Sequence, residues 1–233
     1  MIWLASIESL EGSEVVDVTI IIDSLPSLLK ATIMTIFLSC ISVFIALVIG
    51  FSTALIRILK IKVLYQIASI YISVIRGTPL LVQIFVIYYG LPQIGISLDP
   101  ISSGIMALSL NAGAYLSESF RASILAVDRG QMEAAISMGM TYGQAMRRII
   151  LPQSLRIAIP TLSNSFIVLV KDTSLVSVIT VTELLQMSSL IIAKTFEPLT
   201  IYLTAAAIYW ILITFFTTLL DKFEKRSSKH LVR

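Results

Sequence analysis

The chain has 233 residues, of which 57% are hydrophobic and 13% are charged, and its mean hydropathy is +0.93. Soluble domains carry about 25% charged residues, so this composition excludes an ordinary soluble domain and indicates an integral membrane protein of a single domain, residues 1–233. A net charge of +3, one cysteine and one histidine exclude a broad nucleic-acid-binding surface, a disulfide scaffold and a Cys/His metal cluster.

The N-terminal segment is acidic. The first 29 residues contain five Asp and Glu residues and no Lys or Arg. A signal peptide requires a basic leader before its apolar core, and this segment has none. We therefore expect residues 1–24 to form a short external segment.

Five apolar runs follow, at residues 28–56, 63–89, 101–116, 157–170 and 199–220. A bilayer core of about 30 Å requires about 20 apolar residues in a helix, and tilted or partly polar helices depart from that length. The sequence therefore predicts an all-α fold with five transmembrane helices.

The second run contains Arg76, Gly77, Thr78 and Pro79 in its middle. As one straight helix the run would be about 40 Å long, which is more than the bilayer needs. Proline has no N–H to donate and clashes with the preceding turn. We expect these four residues to break the helix or to form a cytoplasmic gate, with the spanning part beginning near Leu80.

The basic residues predict the orientation. Of the 17 Lys and Arg residues, 13 fall after the first run, between the third and fourth runs, or after the fifth. With five spans, these three segments lie on the same side of the membrane. The positive-inside rule then places the N-terminus outside and the C-terminus, with a basic tail at 222–233, in the cytoplasm.

The connection between the third and fourth runs is unusually long and has helix-capping patterns. The capping pairs are Asp128 with Gln131 and Thr141 with Gln144. We expect Gly139 to end the first short helix and Pro152 to end the second. The spacing alone fits both a docking element for another protein and an ordinary amphipathic surface loop.

This loop carries a motif with the spacing E-A-A-x3-G-x9-I-x-L-P. Its residues are Glu133, Ala134, Ala135, Gly139, Ile149, Leu151 and Pro152. The motif resembles the EAA motif of the membrane subunits of ATP-binding-cassette importers. Three further stretches, at 76–83, 114–118 and 171–175, resemble the permeases for polar amino acids of the histidine, glutamine, arginine and cystine type.

The resemblance extends over about residues 25–223 and implies the transmembrane domain of a type I ABC importer in the bacterial cytoplasmic membrane. Residues 128–152 are then a cytoplasmic coupling loop that docks on a separate ATPase. The implied docking positions are Glu133, Ala134, Ala135, Gly139, Leu151 and Pro152. The sequence contains no G-x4-G-K-[ST] run, so ATP and Mg are expected on the partner ATPase, and no cofactor or metal is expected on this chain.

The implied partners are two ATP-binding cassette subunits, a second permease subunit and an extracytoplasmic solute-binding protein. The second permease subunit makes either a homodimer or a heterodimer with this chain. Such a subunit is not itself an enzyme. It translocates a polar amino acid by alternating access, driven through the loop by the partner's ATP hydrolysis.

Polar residues at membrane depth are candidates for the substrate path, because burying them there is costly. The candidates are Asn111, Tyr115, Glu118, Asn164, Lys171, Asp172, Thr173 and Ser174. Lys171 could meet the carboxylate of an amino acid, and Glu118 or Asp172 its ammonium. The same side chains could instead neutralise one another or hold helices together.

Three other classes of function compete with an importer subunit. An ion-coupled secondary amino acid transporter is the main alternative, but the sequence has no visible inverted halves. A membrane enzyme would need a nucleophile with its base or a metal cluster, and the only histidine is His230 in the tail. A structural membrane adaptor gives no reason for the polar residues of the third and fourth runs.

Overall fold

The computed structural model describes residues 16–228, and within that range the chain is helical without a strand. In chain order the helices are α1 (Val18–Leu59), α2 (Lys62–Gly77), α3 (Leu80–Phe85), α4 (Pro100–Leu125), α5 (Arg129–Ser137), α6 (Tyr142–Ala145), α7 (Leu151–Asp172), α8 (Leu184–Thr195) and α9 (Pro198–Ser228). Two π-helical turns (Val86–Gly90, Met146–Ile150) and two 3-10 segments (Leu91–Ile94, Thr173–Ile179) extend or join them. The predicted all-α fold is confirmed for this range. Most of the expected external segment lies outside the described residues.

Three helical stretches within residues 16–228 are long and apolar enough to cross a bilayer, namely Val18–Leu59, Tyr142–Ile179 and Pro198–Arg226. The bent pair α2 and α3 makes a fourth if it counts as one span. Helix α4 has 26 residues and is therefore about 39 Å long, but serines and ionisable residues dilute its apolar character. The count of five spans stays a prediction, and it depends on α4.

Helix α4 is the central helix of the bundle and packs against both α1 and α7. Its serines Ser103, Ser109 and Ser117 are buried against protein. A helix enclosed by other helices does not need an apolar surface, which explains why hydropathy underrates α4. The α1–α4 crossing is very close: a Cβ added at Gly50 would lie 2.8 Å from the Cβ of Leu116.

The helix break predicted at residues 76–79 is confirmed. Helix α2 ends at Gly77, Thr78 and Pro79 are extended, and α3 leaves at a bend of 110°. Pro79 cannot donate a backbone hydrogen bond, so the last carbonyl groups of α2 need other donors. The hydroxyl of Thr78 donates to the carbonyl oxygen of Val74 at 2.9 Å.

The first short helix of the loop has the predicted ends. The Asp128 carboxylate accepts a hydrogen bond from the Gly130 N–H at 2.8 Å, and Gly139 has a φ of +87° just beyond the helix. Thr141 and Gln144 form the predicted reciprocal capping box. The φ of Gly139 lies in the left-handed region that favours glycine.

The prediction that Pro152 ends the second loop helix is wrong. The chain is helical from Tyr142 through Ile179. The turn Met146–Ile150 is π-helical, and the Leu151 N–H bonds to the carbonyl oxygen of Met146. This widened turn places Pro152 in the first turn of α7, where a missing N–H costs little.

Glu183 ties the region between α7 and α9 together. Its side chain is buried and caps α8 by accepting a hydrogen bond from the Gln186 N–H at 2.8 Å. The Tyr209 hydroxyl in α9 donates to the other carboxylate oxygen at 2.8 Å. The pair therefore joins α8 to α9 through a satisfied buried carboxyl group.

Candidate functional site

A cavity of about 420 Å³ lies between the helix break and the facing sides of α4 and α7. Its lining residues are Thr78, Pro79, Leu80, Leu108, Asn111, Ala112, Tyr115, Asn164, Ser165, Val168, Leu169 and Asp172. The volume is within the range of small-molecule sites, which combine apolar walls with a few placed polar groups.

Among the described residues that line this cavity, Asp172 alone carries a charge. It is the last residue of α7 and is half-buried. An ionised carboxylate accepts hydrogen bonds only, while the amides of Asn111 and Asn164 can accept and donate. The cavity can therefore hold a small solute that carries an ammonium group and a polar remainder.

Gln83 orders the polar wall of the cavity, although it lies behind the lining residues. It is 8% exposed, and its Oε1 accepts a hydrogen bond from the Asn111 Nδ2 at 3.0 Å. Its Nε2 donates to the carbonyl oxygen of Ile75 at 2.8 Å and to Thr78. The sequence analysis did not single out Gln83, but a polar residue one helical turn after Pro79 in an apolar run is a usable signal.

The cavity brings together four of the eight predicted path residues, namely Asn111, Tyr115, Asn164 and Asp172. Glu118 lies elsewhere, in a groove of about 480 Å³ between α4 and α7. Its carboxylate pairs with Arg57 of α1 and accepts a hydrogen bond from the Arg121 Nε at 3.1 Å. In this structure the charge of Glu118 is therefore neutralised by arginine side chains of the protein.

The remaining three path residues do not line this cavity. Lys171 is exposed, whereas Thr173 is buried. The Thr173 hydroxyl donates to the carbonyl oxygen of Val170 at 2.7 Å, and the Ser174 hydroxyl donates to that of Lys171 at 2.7 Å. Both hydroxyl groups therefore serve the junction between α7 and the 3-10 segment in this conformation.

Two of the four predicted break or gate residues, Thr78 and Pro79, line the cavity directly. Arg76 is exposed, and its guanidinium carbon lies 5.3 Å from the centroid of the Tyr115 ring. This distance allows a cation–π contact on a residue of the cavity wall. Gly77 ends α2, in open space.

The loop helix α5 presents two of the EAA residues outward. Glu133 and Ala134 are exposed, and Ala135 is buried. The loop is attached to the end of α4 by a core of Ile124, Val127, Met146 and Ile150, against which Leu151 packs. A capped helix on a hydrophobic base is more rigid than a loop without packed contacts.

Fold and site together define a helical membrane transport subunit. The chain belongs to the family of binding-protein-dependent transport system inner membrane components, which it matches over residues 42–229. Members of this family are permease subunits of ABC transporters, and a separate subunit hydrolyses ATP. The resemblance inferred from the loop motif is therefore confirmed, and the chain is a transport subunit rather than an enzyme.

Individual relatives match this chain over most of its length and most of their own. The L-cystine transport system permease protein TcyB of Bacillus subtilis (strain 168) is 44% identical over 85% of this chain and 86% of its own. The arginine transport system permease protein ArtQ of the same organism is 35% identical over 86% and 92%. A crystal structure of an amino acid ABC transporter with histidines has 41% identity and a TM-score of 0.86, covering 91% of this chain and 99% of that one.

Proposed function

We propose that this chain is the permease subunit of an ATP-driven importer that carries a polar amino acid across the bacterial cytoplasmic membrane by alternating access. The observation that carries the substrate class is the cavity at the helix break. It has the volume of a small-solute site, and Asp172 and two amide side chains line it together with apolar residues. Relatives named for cystine and arginine transport support these two amino acids as candidate substrates, beside glutamine and histidine.

In this proposal the ammonium group of the substrate meets Asp172 and the amide of Asn111. The carboxylate needs a cation, and in this conformation Arg76 on the Tyr115 ring is the candidate at the cavity wall, because Lys171 is exposed outside the cavity. The groove at Glu118 continues the space between α4 and α7 on the side of the coupling loop. Glu118, Thr173 and Ser174 are therefore path residues for a conformation other than this one.

The coupling loop at 128–152 docks on the ATPase through the exposed Glu133 and Ala134, with Gly139 fixing the turn that follows. Two ATP-binding subunits, a second permease subunit and an extracytoplasmic solute-binding protein complete the transporter. ATP and Mg belong to the ATP-binding subunits. In the membrane we propose five spans within residues 25–223, an outer N-terminus and a cytoplasmic C-terminal tail.

Reconstitution tests the transport mode. The full chain, its ATP-binding subunit and its solute-binding protein are placed in proteoliposomes, and uptake of radiolabelled L-cystine, L-glutamine, L-arginine and L-histidine is measured. We expect uptake of at least one of them to require ATP and to survive ionophores that collapse ion gradients. Uptake that needs an ion gradient and no ATP would instead identify a secondary transporter.

Two adjacent residues provide a matched test of the cavity. Asp172 lines the cavity, whereas its neighbour Lys171 is exposed outside it. A charge-assisted hydrogen bond contributes about 1.5–3 kcal/mol, so we expect Asp172→Asn to weaken substrate binding by about 10- to 100-fold. Lys171→Gln should change binding less than Asp172→Asn does. If Lys171→Gln weakened binding more than Asp172→Asn, the ammonium site would not lie in this cavity.

Docking is tested by co-purification. Glu133→Arg reverses the charge of an exposed loop position, so we expect the ATP-binding subunit to be lost from the purified complex. Glu197→Arg makes the same charge reversal at an exposed residue outside the loop and serves as the control. Equal retention of the ATP-binding subunit by both variants would contradict the proposed docking site.

A further inference from the structure

Helix α2 ends with a carbonyl group that the backbone cannot satisfy. In an uninterrupted helix the Ile75 carbonyl oxygen would accept from the N–H of residue 79, but residue 79 is proline. The Gln83 Nε2 fills this place at 2.8 Å, and it also donates to Thr78, whose hydroxyl oxygen lies at 3.0 Å and whose carbonyl oxygen lies at 3.1 Å. One side-chain amide thus replaces the missing backbone donor and fixes the geometry of the bend.

The other end of the same amide reaches the cavity wall. Gln83 Oε1 accepts from Asn111 Nδ2 at 3.0 Å, and Asn111 lines the cavity. Because one N–H of Nδ2 is engaged by Gln83, the amide is held in one orientation, and its carbonyl oxygen Oδ1 is the acceptor that remains for an ammonium group. Among the described residues no hydrogen bond to this oxygen is found.

We infer that Gln83 is a positioning residue, which locks the Asn111 amide with its oxygen available to the ammonium group of the substrate and ties that orientation to the shape of the helix break. The inference rests on the proposed function of the cavity. Gln83 itself is 8% exposed and does not line the cavity, so it acts through Asn111. A change in the bend that moves the Ile75 carbonyl group would therefore also reorient the Asn111 amide, which we propose contacts the substrate.

A double-mutant cycle tests this coupling. The full-length chain is purified with its ATP-binding subunit in nanodiscs, and equilibrium binding of radiolabelled L-cystine, L-glutamine, L-arginine and L-histidine is measured. Gln83→Met keeps the length of the side chain but removes both hydrogen-bonding ends. We expect Gln83→Met and Asn111→Ala each to weaken binding about tenfold, and the double variant to bind no more weakly than Asn111→Ala alone.

Tyr71→Phe is the matched control. The Tyr71 hydroxyl donates to the Leu110 carbonyl oxygen at 2.6 Å, so it links the same two helices, α2 and α4, beside Asn111 but outside the cavity. Its removal should leave binding within about twofold of the native complex. The rate of ATP hydrolysis, measured on every variant, reports whether the complex is intact.

Gln83→Glu separates positioning from a purely structural role. In either protonation state the new carboxyl group can still accept a hydrogen bond from Asn111 Nδ2, so binding should lie closer to native than in Gln83→Met. This variant also decides the question if Gln83→Met fails to assemble. Binding by Gln83→Glu as weak as by Asn111→Ala would then overturn the inference.

The outcomes are distinguishable. If Gln83→Met binds as the native chain does, or weakens binding by the same factor with and without Asn111→Ala, Gln83 does not act through Asn111 and the inference fails. If the native complex binds none of the four amino acids, the proposed substrate class fails, and the inference fails with it.

Discussion

The close crossing of α1 and α4 provides a direct test of the packing of the bundle. Gly50 in α1 faces α4 with no room for a side chain. A Cβ at this position would lie 2.8 Å from the Leu116 Cβ, and 3.1 Å from both the Gly113 carbonyl oxygen and the Ser117 nitrogen. These atoms belong to the backbone or are attached to it, so they cannot rotate away. Gly50→Ala therefore requires α1 and α4 to separate.

Two opposing effects decide how much Gly50→Ala changes the stability of the chain. Overpacking a tight core costs about 1–3 kcal/mol. Alanine, in turn, is better than glycine within a helix by about 1 kcal/mol. Because the neighbours of Gly50 are fixed, we expect the overpacking cost to be about 2–3 kcal/mol, which leaves a net loss of stability of about 1–2 kcal/mol. For a chain of this size that lowers Tm by roughly 2–8 °C.

The assay is size-exclusion chromatography of the purified chain in mild detergent after heating to a series of temperatures. Gly143→Ala is the control, because a Cβ at Gly143 in α6 meets no atom within 4 Å. It should leave Tm unchanged or raise it slightly. If Gly50→Ala were as stable as Gly143→Ala, the close α1–α4 crossing would be incorrect.

Three further variants test other contacts. Glu118→Gln removes the charge that pairs with Arg57, whose side chain is 17% exposed, and should lower the free energy of unfolding by about 1–3 kcal/mol. An unchanged Tm would contradict the ion pair. Gly139→Val forces a branched residue to a φ of +87° and should reduce co-purification of the ATP-binding subunit; full retention would show that this turn does not matter for docking. Tyr209→Phe leaves buried Glu183 with one hydrogen-bond donor fewer and should lower the free energy of unfolding by about 1–3 kcal/mol, measured as a lower Tm. An unchanged Tm would refute the link between α8 and α9 through Glu183 and Tyr209.

The sequence predicts local features of this chain well, because these depend on a few adjacent residues. The caps at Asp128 and Thr141, the left-handed Gly139 and the break before Pro79 are all present. Each follows from the backbone preferences of one residue type and its immediate neighbours. The family was also recognisable from the loop motif, which is a fixed spacing of residues.

Which polar residues face the cavity could not be predicted in the same way. Helical spacing places Asn111, Tyr115 and Glu118 on one face, yet the cavity includes only the first two. Arg57, which is 61 residues away in the sequence, engages Glu118. Tertiary partners of this kind leave no local pattern. Lys171 and Asp172 are likewise adjacent in sequence but differ in whether they line the cavity.

Proline has different effects along this chain: Pro26 and Pro160 lie inside α1 and α7 without ending them, whereas α2 stops before Pro79. At Pro79 the preceding turn is α-helical, and the helix bends by 110°. At Pro92 and Pro152 a π-helical turn comes just before, and its last bond spans five residues instead of four. The longer bond shifts the register by one residue, so the chain stays helical past each proline.

These two outcomes have different consequences for the cavity. The sharp bend at Pro79 places Thr78 and Pro79 on its wall. The continuous helix through Pro152 runs 38 residues from Tyr142 to Ile179, about 57 Å, and carries Asp172 on the same rod as the end of the coupling loop. If the loop docks on the ATPase as proposed, its displacement would move Asp172 relative to the bend. A helix that ended at Pro152 could not transmit that displacement.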